Sequence, residues 1–298
     1  MNLWEGGRKG TPTLPRLMAR VPPSPASAGE GRIALMTEAA PVLVSRDSRG
    51  IATVTLNRPQ KGNAYNADLL HALIEGLDAM RDDPAVRAVV IRGAGKHFQA
   101  GADLDWLAEV ATYGPEQAFA GSMATTTAMQ RLNEFPKPTF AVVKGACFGG
   151  GCGIVCCVDV ALATPDAIFG LTEVRVGVAP TPISTHMVHA MGLRHTRRYA
   201  LTGERFDSAE ALRIGLVHEV VAADQIEARL AQILDETMLS APTAIAMTKD
   251  SFLGANGLKL DARQMHMLAH ESWTQRASAE GREGLAAFQQ KRKPAWYR

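Results

Sequence analysis

Three consecutive glycines, Gly149, Gly150 and Gly151, stand between a β-rich run, Thr139–Lys144, and an apolar run, Cys152–Val158, that reads as a buried helix. A strand that feeds a glycine turn and then opens a helix leaves bare backbone N–H groups at the positive helix end. Such a place holds an anion, or an oxygen on which negative charge develops during a reaction. Glycine also lets a ligand come close to the main chain. A second glycine loop, from Gly93 to Trp106, follows another strand-like run, Arg87–Arg92, and reads Phe98-Gln-Ala-Gly-Ala-Asp-Leu104 in its middle. Two loops at strand ends can each offer one N–H to the same oxygen. The triple glycine is not a nucleotide-hydrolase phosphate loop, since no Gly-Lys-Ser/Thr follows, and its spacing is not that of the dinucleotide fingerprint. No Gly-x-Ser-x-Gly elbow is present.

These loops need a scaffold, and the hydropathy pattern supplies one. Val42–Arg46 and Ile51–Asn57 alternate apolar and polar residues around Asp47-Ser-Arg-Gly50, the pattern of a hairpin. A helix is predicted from the N-cap Asn66 to Met80, then the Arg87–Arg92 strand, a helix over Asp103–Val110, a break at Tyr113-Gly-Pro115, and a helix over Glu116–Leu132. Strands at Thr139–Lys144 and Asp159–Ala163 bracket the triple glycine. Strand, helix and strand recur with short connections, which argues for an α/β architecture. From Pro182 the pattern turns helical, over Ile183–Met191, His195–Leu201, Ser208–Ile214, Gln225–Leu239, Pro242–Leu253, Asp261–Ala279 and Gly281–Lys291, with one short strand at Leu216–Val220.

The 298 residues are 46% hydrophobic and 21% charged, the composition of a globular protein, with 32 basic and 30 acidic residues and a net charge of +2. That balance gives no electrostatic case for nucleic acid or an anionic membrane as partner, and no apolar run is long enough for a spanning helix. All four cysteines, Cys147, Cys152, Cys156 and Cys157, crowd into the central stretch, which suits buried reduced thiols in a cytoplasmic protein and neither a disulfide framework nor a zinc site. His186 with His189, and His266 with His270, have the spacing of metal pairs on a helix but lack a third ligand. Residues 1–38 show no hydrophobic periodicity and contain Pro22-Pro-Ser-Pro-Ala-Ser-Ala-Gly29; they are expected to form a disordered extension, with Met36 opening the functional chain.

The stretches Phe98–Leu104, Gly149–Gly151, the strand after Asp159 and Phe169-Gly-Leu-Thr-Glu173 resemble, in order and spacing, the crotonase (enoyl-CoA hydratase/isomerase) superfamily over about residues 40 to 298. Ala102–Trp106, Gly149–Val155, Pro180–Ser184 and Arg197–Asp207 are most similar to its methylglutaconyl-CoA and isohexenylglutaconyl-CoA hydratases. The resemblance implies a spiral of ββα repeats over 39–230, a helical region over 231–298 that builds a homotrimer or a dimer of trimers, and an acyl-CoA thioester as substrate with no separate cofactor or metal. It places the two oxyanion-binding amides on Ala100 and Gly150 and the acid/base on Glu173. It assigns substrate and coenzyme A binding to Lys61, Ala64, Gly101, Ala102, Asp103, Leu104, Gly149 and Gly153, with Lys291, Arg292 and Lys293 as further candidates for the phosphates. A carboxylate beside an apolar acyl pocket is expected to titrate high, which suits a group that takes and gives a proton near neutrality.

One departure stands out. Ordinary enoyl-CoA hydratases carry a second glutamate where this chain has Gly153. The same loss occurs in the Δ3,Δ2-enoyl-CoA isomerases, where a single glutamate moves the proton, and the resemblance gives the methylglutaconyl-type hydratases a glycine there too. Gly153 is therefore expected to leave a gap that admits a branched acyl group. Asp105, Glu109, Ser184 and His186 are the candidates to replace the lost carboxylate. Three readings stay open: a hydratase of branched, carboxylated 2-enoyl-CoA esters, an isomerase working through Glu173 alone, and a non-catalytic acyl-CoA-binding scaffold.

Overall fold

The computed structural model describes residues 40–297. All of them fall within one unit, Met36–Arg298, and the extension expected over 1–38 lies outside the described residues. The first hairpin is β1 (Val42–Arg46) and β2 (Ile51–Leu56). Its turn is closed by the Asp47 carboxylate, which accepts from the amides of Arg49 and Ile51. Helix α1 (Ala67–Arg81) starts where expected, with the Asn66 side chain accepting from the Leu69 amide. After it come β3 (Ala88–Gly93), α2 (Leu104–Val110), α3 (Pro115–Asn133) and β4 (Thr139–Val143).

Next are β5 (Ala146–Phe148), α4 (Gly150–Cys157), β6 (Val160–Ala163), β7 (Ile168–Gly170), α5 (Ser184–Thr202), β8 (Arg205–Asp207), α6 (Ser208–Arg213) and β9 (Glu219–Val220). The chain closes with α7 (Ile226–Met238), α8 (Pro242–Ala255), α9 (Ala262–Arg276) and α10 (Ala279–Gln289).

The main sheet runs β1-β2-β3-β4-β6-β9 and is parallel from β2 onward. Its central strands are covered on both faces, which is why they read as continuous apolar runs. Alternation still sorts them. Val89, Ile91, Ala141 and Val143 pack into the core shared with α1, α3 and α4, whereas Val90, Phe140 and Val142 meet Ile226, Leu230 and Leu234 of α7 on the other side. A boundary at 230/231 would therefore cut a helix that belongs to the sheet.

A second, three-stranded sheet, β5-β7-β8, leads into Glu173 at the end of β7. Only β7 was visible as a strand-like run. Strands of three residues leave too short a pattern to read, and β5 and β8 are held by pairing to β7 across the chain. Two helices predicted over 183–201 form α5, broken at Gly192, whose φ of 75° and ψ of 153° are not helical. Helix α4 begins at Gly150, two residues earlier than the apolar run implied, so the glycines belong to its first turn.

Candidate active site

The two glycine loops are hydrogen-bonded directly to each other. Phe98 N–H donates to the carbonyls of Lys144 and Ala146, Gln99 N–H to Ala146, and Phe148 N–H to the Gln99 carbonyl at 2.9 Å. Asn63, fully buried and at φ 58°, staples a third loop to them by donating to the carbonyls of Ala94 and His97. The buried Gln99 side chain holds the loop from inside, its Oε1 accepting from Gly101 N–H at 2.9 Å. A Cβ on Gly151 would lie 2.7 Å from the Gln99 carbonyl, so the third glycine is required by packing between the loops and not by a ligand.

Between these loops, β7 and the C-terminal helices lies a cavity of about 700 Å³. Glu173 opens a short 3₁₀ turn, Glu173–Val176, directly after β7. Its carboxylate reaches the first glycine: a Cβ on Gly149 would sit 2.8 Å from Glu173 Oε1. Oε2 is buried with no hydrogen-bond partner, and burial pushes the carboxyl up to about 7. A carboxyl so placed is half-ionised near neutrality and has a free oxygen to accept a proton.

Lys61, Ala64, Ala100, Gly101, Ala102, Asp103, Leu104, Gly149 and Gly150 all line this cavity with Glu173, so nearly all the residues expected at the site are brought together. Three expectations need correction. Ala100 N–H already donates to the Gly62 carbonyl at 2.9 Å and is not available to an oxyanion. Tyr65 N–H donates to Gly101 O and Asp103 N–H to Tyr65 O, so of the amides from Phe98 to Asp103 that of Ala102 alone is left free. Gly150 N–H, in the first turn of α4, is free because helix geometry gives it no partner. The free pair is therefore Ala102 and Gly150.

Second, Gly153 does not line the cavity. It lies about one helical turn after Gly150, packed against Ile183 of the cavity wall: a Cβ there would come within 2.5 Å of Ile183 Cγ2 and 3.2 Å of Met129 Sδ. The expected gap is filled by side chains. Third, Asp103 is a brace: its carboxylate caps α2 by accepting from Asp105 N–H and is paired with Arg58 at 2.7 Å. Asp105 is paired with Lys61 at 2.6 Å at the cavity mouth.

None of the candidates for a second acid/base group faces Glu173 from inside. Glu109 accepts from the Tyr113 hydroxyl, Ser184 donates to the Thr181 carbonyl, and His186 is buried outside the cavity lining. Burial and His189 push His186 down to about 4. The rings of His266 and His270 stack 6.2 Å apart, and among the described residues no group of three His, Cys, Asp or Glu is placed to hold a metal ion. The four cysteines are free thiols, three of them buried. Of the C-terminal cations, Arg292 and Lys293 reach the cavity rim; Lys291 does not.

Sequence reasoning missed the inner wall. Tyr65 packs edge-on to Trp106 at 5.8 Å, and its ring would be 2.5 Å from a Cβ on Gly150. The glycine turn is thus flanked by Glu173 at Gly149 and by Tyr65 at Gly150. Thr125 from α3 and Ser272 and Arg276 from α9 complete that wall. A polar residue on an amphipathic helix carries no local sign that it faces inward, so these had no signal in the sequence.

The family description "Enoyl-CoA hydratase/isomerase" matches residues 46–298. The chain is 32% identical to the 2,3-dehydroadipyl-CoA hydratase of Escherichia coli strain K12, over 85% of this chain and 97% of that protein. Among solved structures, Pseudomonas aeruginosa AtuE is 40% identical, covers 87% of this chain and 100% of its own, and superposes with a TM-score of 0.70. An enoyl-CoA hydratase from Mycobacterium avium is 33% identical over 86% of this chain and 99% of its own, with a TM-score of 0.77.

Proposed function

This chain belongs to the enoyl-CoA hydratase/isomerase family, and we propose that within it the protein adds water to a 2-enoyl-CoA thioester whose acyl group is branched and carries a second carboxylate. The observation that carries this reading is the placing of Glu173, with its Oε2 buried and unpartnered, in the cavity lined by the two glycine loops that present the free Ala102 and Gly150 amides. The thioester oxygen lies between the two N–H groups, which stabilise the charge it gains as the enolate forms. Ionised Glu173 takes one proton from water while the water oxygen bonds to C3. The π electrons move onto the thioester oxygen. The protonated Glu173 then returns that same proton to C2, the enolate collapses, and the carboxylate is regenerated. One carboxyl suffices because it gives back what it took. The acyl preference is supported by the four stretches similar to methylglutaconyl-type hydratases and by a polar inner wall in the cavity. The dehydroadipyl group in the name of the E. coli relative is likewise a dicarboxylic acyl chain.

A second reading, shifting a double bond between C3 and C2 of a 3-enoyl-CoA, is favoured by the absence of a second carboxylate facing Glu173 among the described residues, since Asp103 and Asp105 are held at the rim by Arg58 and Lys61. Incubation with crotonyl-CoA, 3-methylglutaconyl-CoA and a 3-enoyl-CoA, with products identified by mass, separates the two. Gain of one water identifies the hydratase. An isomeric product of unchanged mass identifies the isomerase. Silence with retained coenzyme A ester binding leaves the scaffold. We also infer a homotrimer, supported by α8, which buries none of its own side chains and exposes Met247 and Phe252 by 69% and 66%.

A further inference from the structure

Arg276, the last residue of α9, lines the cavity with its guanidinium but has no acid beside it. Its Nη2 donates to Ser122 Oγ and, at 3.3 Å, to Ser272 Oγ. Nε is buried without a partner, and Nη1 makes no hydrogen bond to any described residue. No described carboxylate lies within ion-pair distance of it. A helix C-terminus favours a cation, but that effect operates at the surface and does not call for burial. A guanidinium shielded from water and lacking an anion is costly, and it persists when a ligand supplies the missing charge. Its surroundings suit an oxyanion: the Tyr65 phenol and the Thr125 and Ser272 hydroxyls share the wall, and the Thr125 hydroxyl lies within hydrogen-bonding reach of the phenol.

The position along the cavity is also informative. Glu173 abuts Gly149 and the Tyr65 ring abuts Gly150, whereas Arg276 enters from the end of α9 and is tied to Ser122 of α3. Arg276 is therefore carried on the helical wall of the cavity and Glu173 on the turn after β7, so the two groups line the same space from different walls. The cationic side chains at the mouth, Lys61, Arg292 and Lys293, are separate from it and belong to the rim.

We propose that Arg276, supported by Ser122 and Ser272 and flanked by Tyr65, is the receptor for a carboxylate at the far end of the acyl chain, and so the residue that selects dicarboxylic acyl-CoA esters. The assignment rests on the acyl-CoA reading above and names the group that sets its substrate class. Arg276 is a specificity residue and takes no part in the proton transfer.

Equilibrium binding of two unreactive esters tests it without requiring turnover. Glutaryl-CoA and butyryl-CoA share the coenzyme and differ at the chain end. The wild-type protein is expected to bind glutaryl-CoA roughly tenfold or more tightly than butyryl-CoA, the range for a charge-assisted hydrogen-bonded contact. Arg276→Gln should reduce that ratio to near unity while leaving butyryl-CoA affinity within about threefold, a change that a structural role would not produce. If Arg276→Gln fails to fold, Arg276→Lys replaces it; the loss of the planar fork should still lower the ratio by roughly threefold or more. Equal affinity of the wild type for the two esters, or a preference that survives either substitution, overturns the proposal. Hydration of crotonyl-CoA alongside equal affinities would overturn only this inference, whereas failure to bind either ester would overturn the acyl-CoA reading itself.

Discussion

In the proposed reaction Glu173 serves as base and then acid, and its burial sets the pH at which it can. Its carboxyl is pushed to about 7 from an ordinary value of 4.5. The ionised form starts the hydration, so kcat/KM for water addition is expected to rise with pH up to about 7 and then level off. The same shift has a stability consequence. A carboxyl whose folded pKa lies above its unfolded value binds its proton more tightly when folded, so stability falls as pH rises from about 4.5 through about 7. Glu173→Gln removes both effects. Its turnover should fall at least about a hundredfold, the lower bound for a general acid/base, with coenzyme A ester affinity little changed. Thermal melts should show the variant gaining on the wild type between pH 4.5 and 7 and holding that gain above. Near-full turnover by Glu173→Gln would place the base elsewhere. Gly153 behaves differently from a missing catalytic residue. Because its Cβ position is occupied by Ile183 and Met129, Gly153→Glu should lower the melting temperature through overpacking and a buried carboxyl, and should not raise crotonyl-CoA hydration. Improved hydration with unchanged stability would show that the helix turns to admit the carboxylate.

Among the elements, α10 decides how firmly Glu173 is held. The turn carrying Glu173 ends at Gly177, at φ 69°, and a Cβ there would strike the Glu280 carbonyl at 2.4 Å. From the other side, a Cβ on Gly284 would come within 2.4 Å of the Val176 carbonyl carbon. Two glycines therefore let helix and turn meet backbone to backbone, and the turn that carries Glu173 is positioned by an element more than a hundred residues further along the chain. Gly284 has no unusual φ, so Gly284→Ala tests this contact without backbone strain. The methyl must displace the turn, at a cost of about 1–3 kcal/mol typical of overpacking. Turnover should drop more than ester affinity, because the amides of the glycine loops are untouched. A fall in affinity alone, with kcat preserved, would show that α10 serves the coenzyme and leaves the carboxyl in place.

At the scale of the whole molecule, most apolar side chains are absorbed by two cores on the two faces of the main sheet, but α8 contributes no buried residue to either. Its exposed Met247 and Phe252 are an apolar surface without cover in a single chain. If they meet a second copy, as the proposed homotrimer requires, the double substitution Met247→Glu and Phe252→Glu should shift the mass measured by light scattering from trimer toward monomer. Within one chain the cavity is already lined by the two glycine loops, the turn after β7, α3 and α9, so the dissociated protein should keep measurable ester binding. A wild-type protein that is monomeric at micromolar concentration would remove the trimer, and loss of all binding on dissociation would show that a neighbouring copy completes the site.

The α/β alternation, the order of the glycine loops and the position of Glu173 after its short strand were all legible in the sequence, because strands, turns and helix starts are set by residues close in the chain. Asn66 as a cap and the break in α5 were readable for the same reason. Three matters were decided only by tertiary structure. Which amide of the second glycine loop is free depends on the Gly62 and Gly101 carbonyls and on Tyr65, and these occupy Ala100 and leave Ala102. Whether Gly153 opens a gap depends on Ile183, brought from another element to fill it. The shared cavity wall of Tyr65 and Arg276 joins residues more than two hundred positions apart in the chain, and nothing in either neighbourhood announces it. Local pattern determines the elements that a chain can form; which polar groups remain unpaired is a property of all the elements packed together, because each is satisfied or orphaned by partners that the sequence brings from afar.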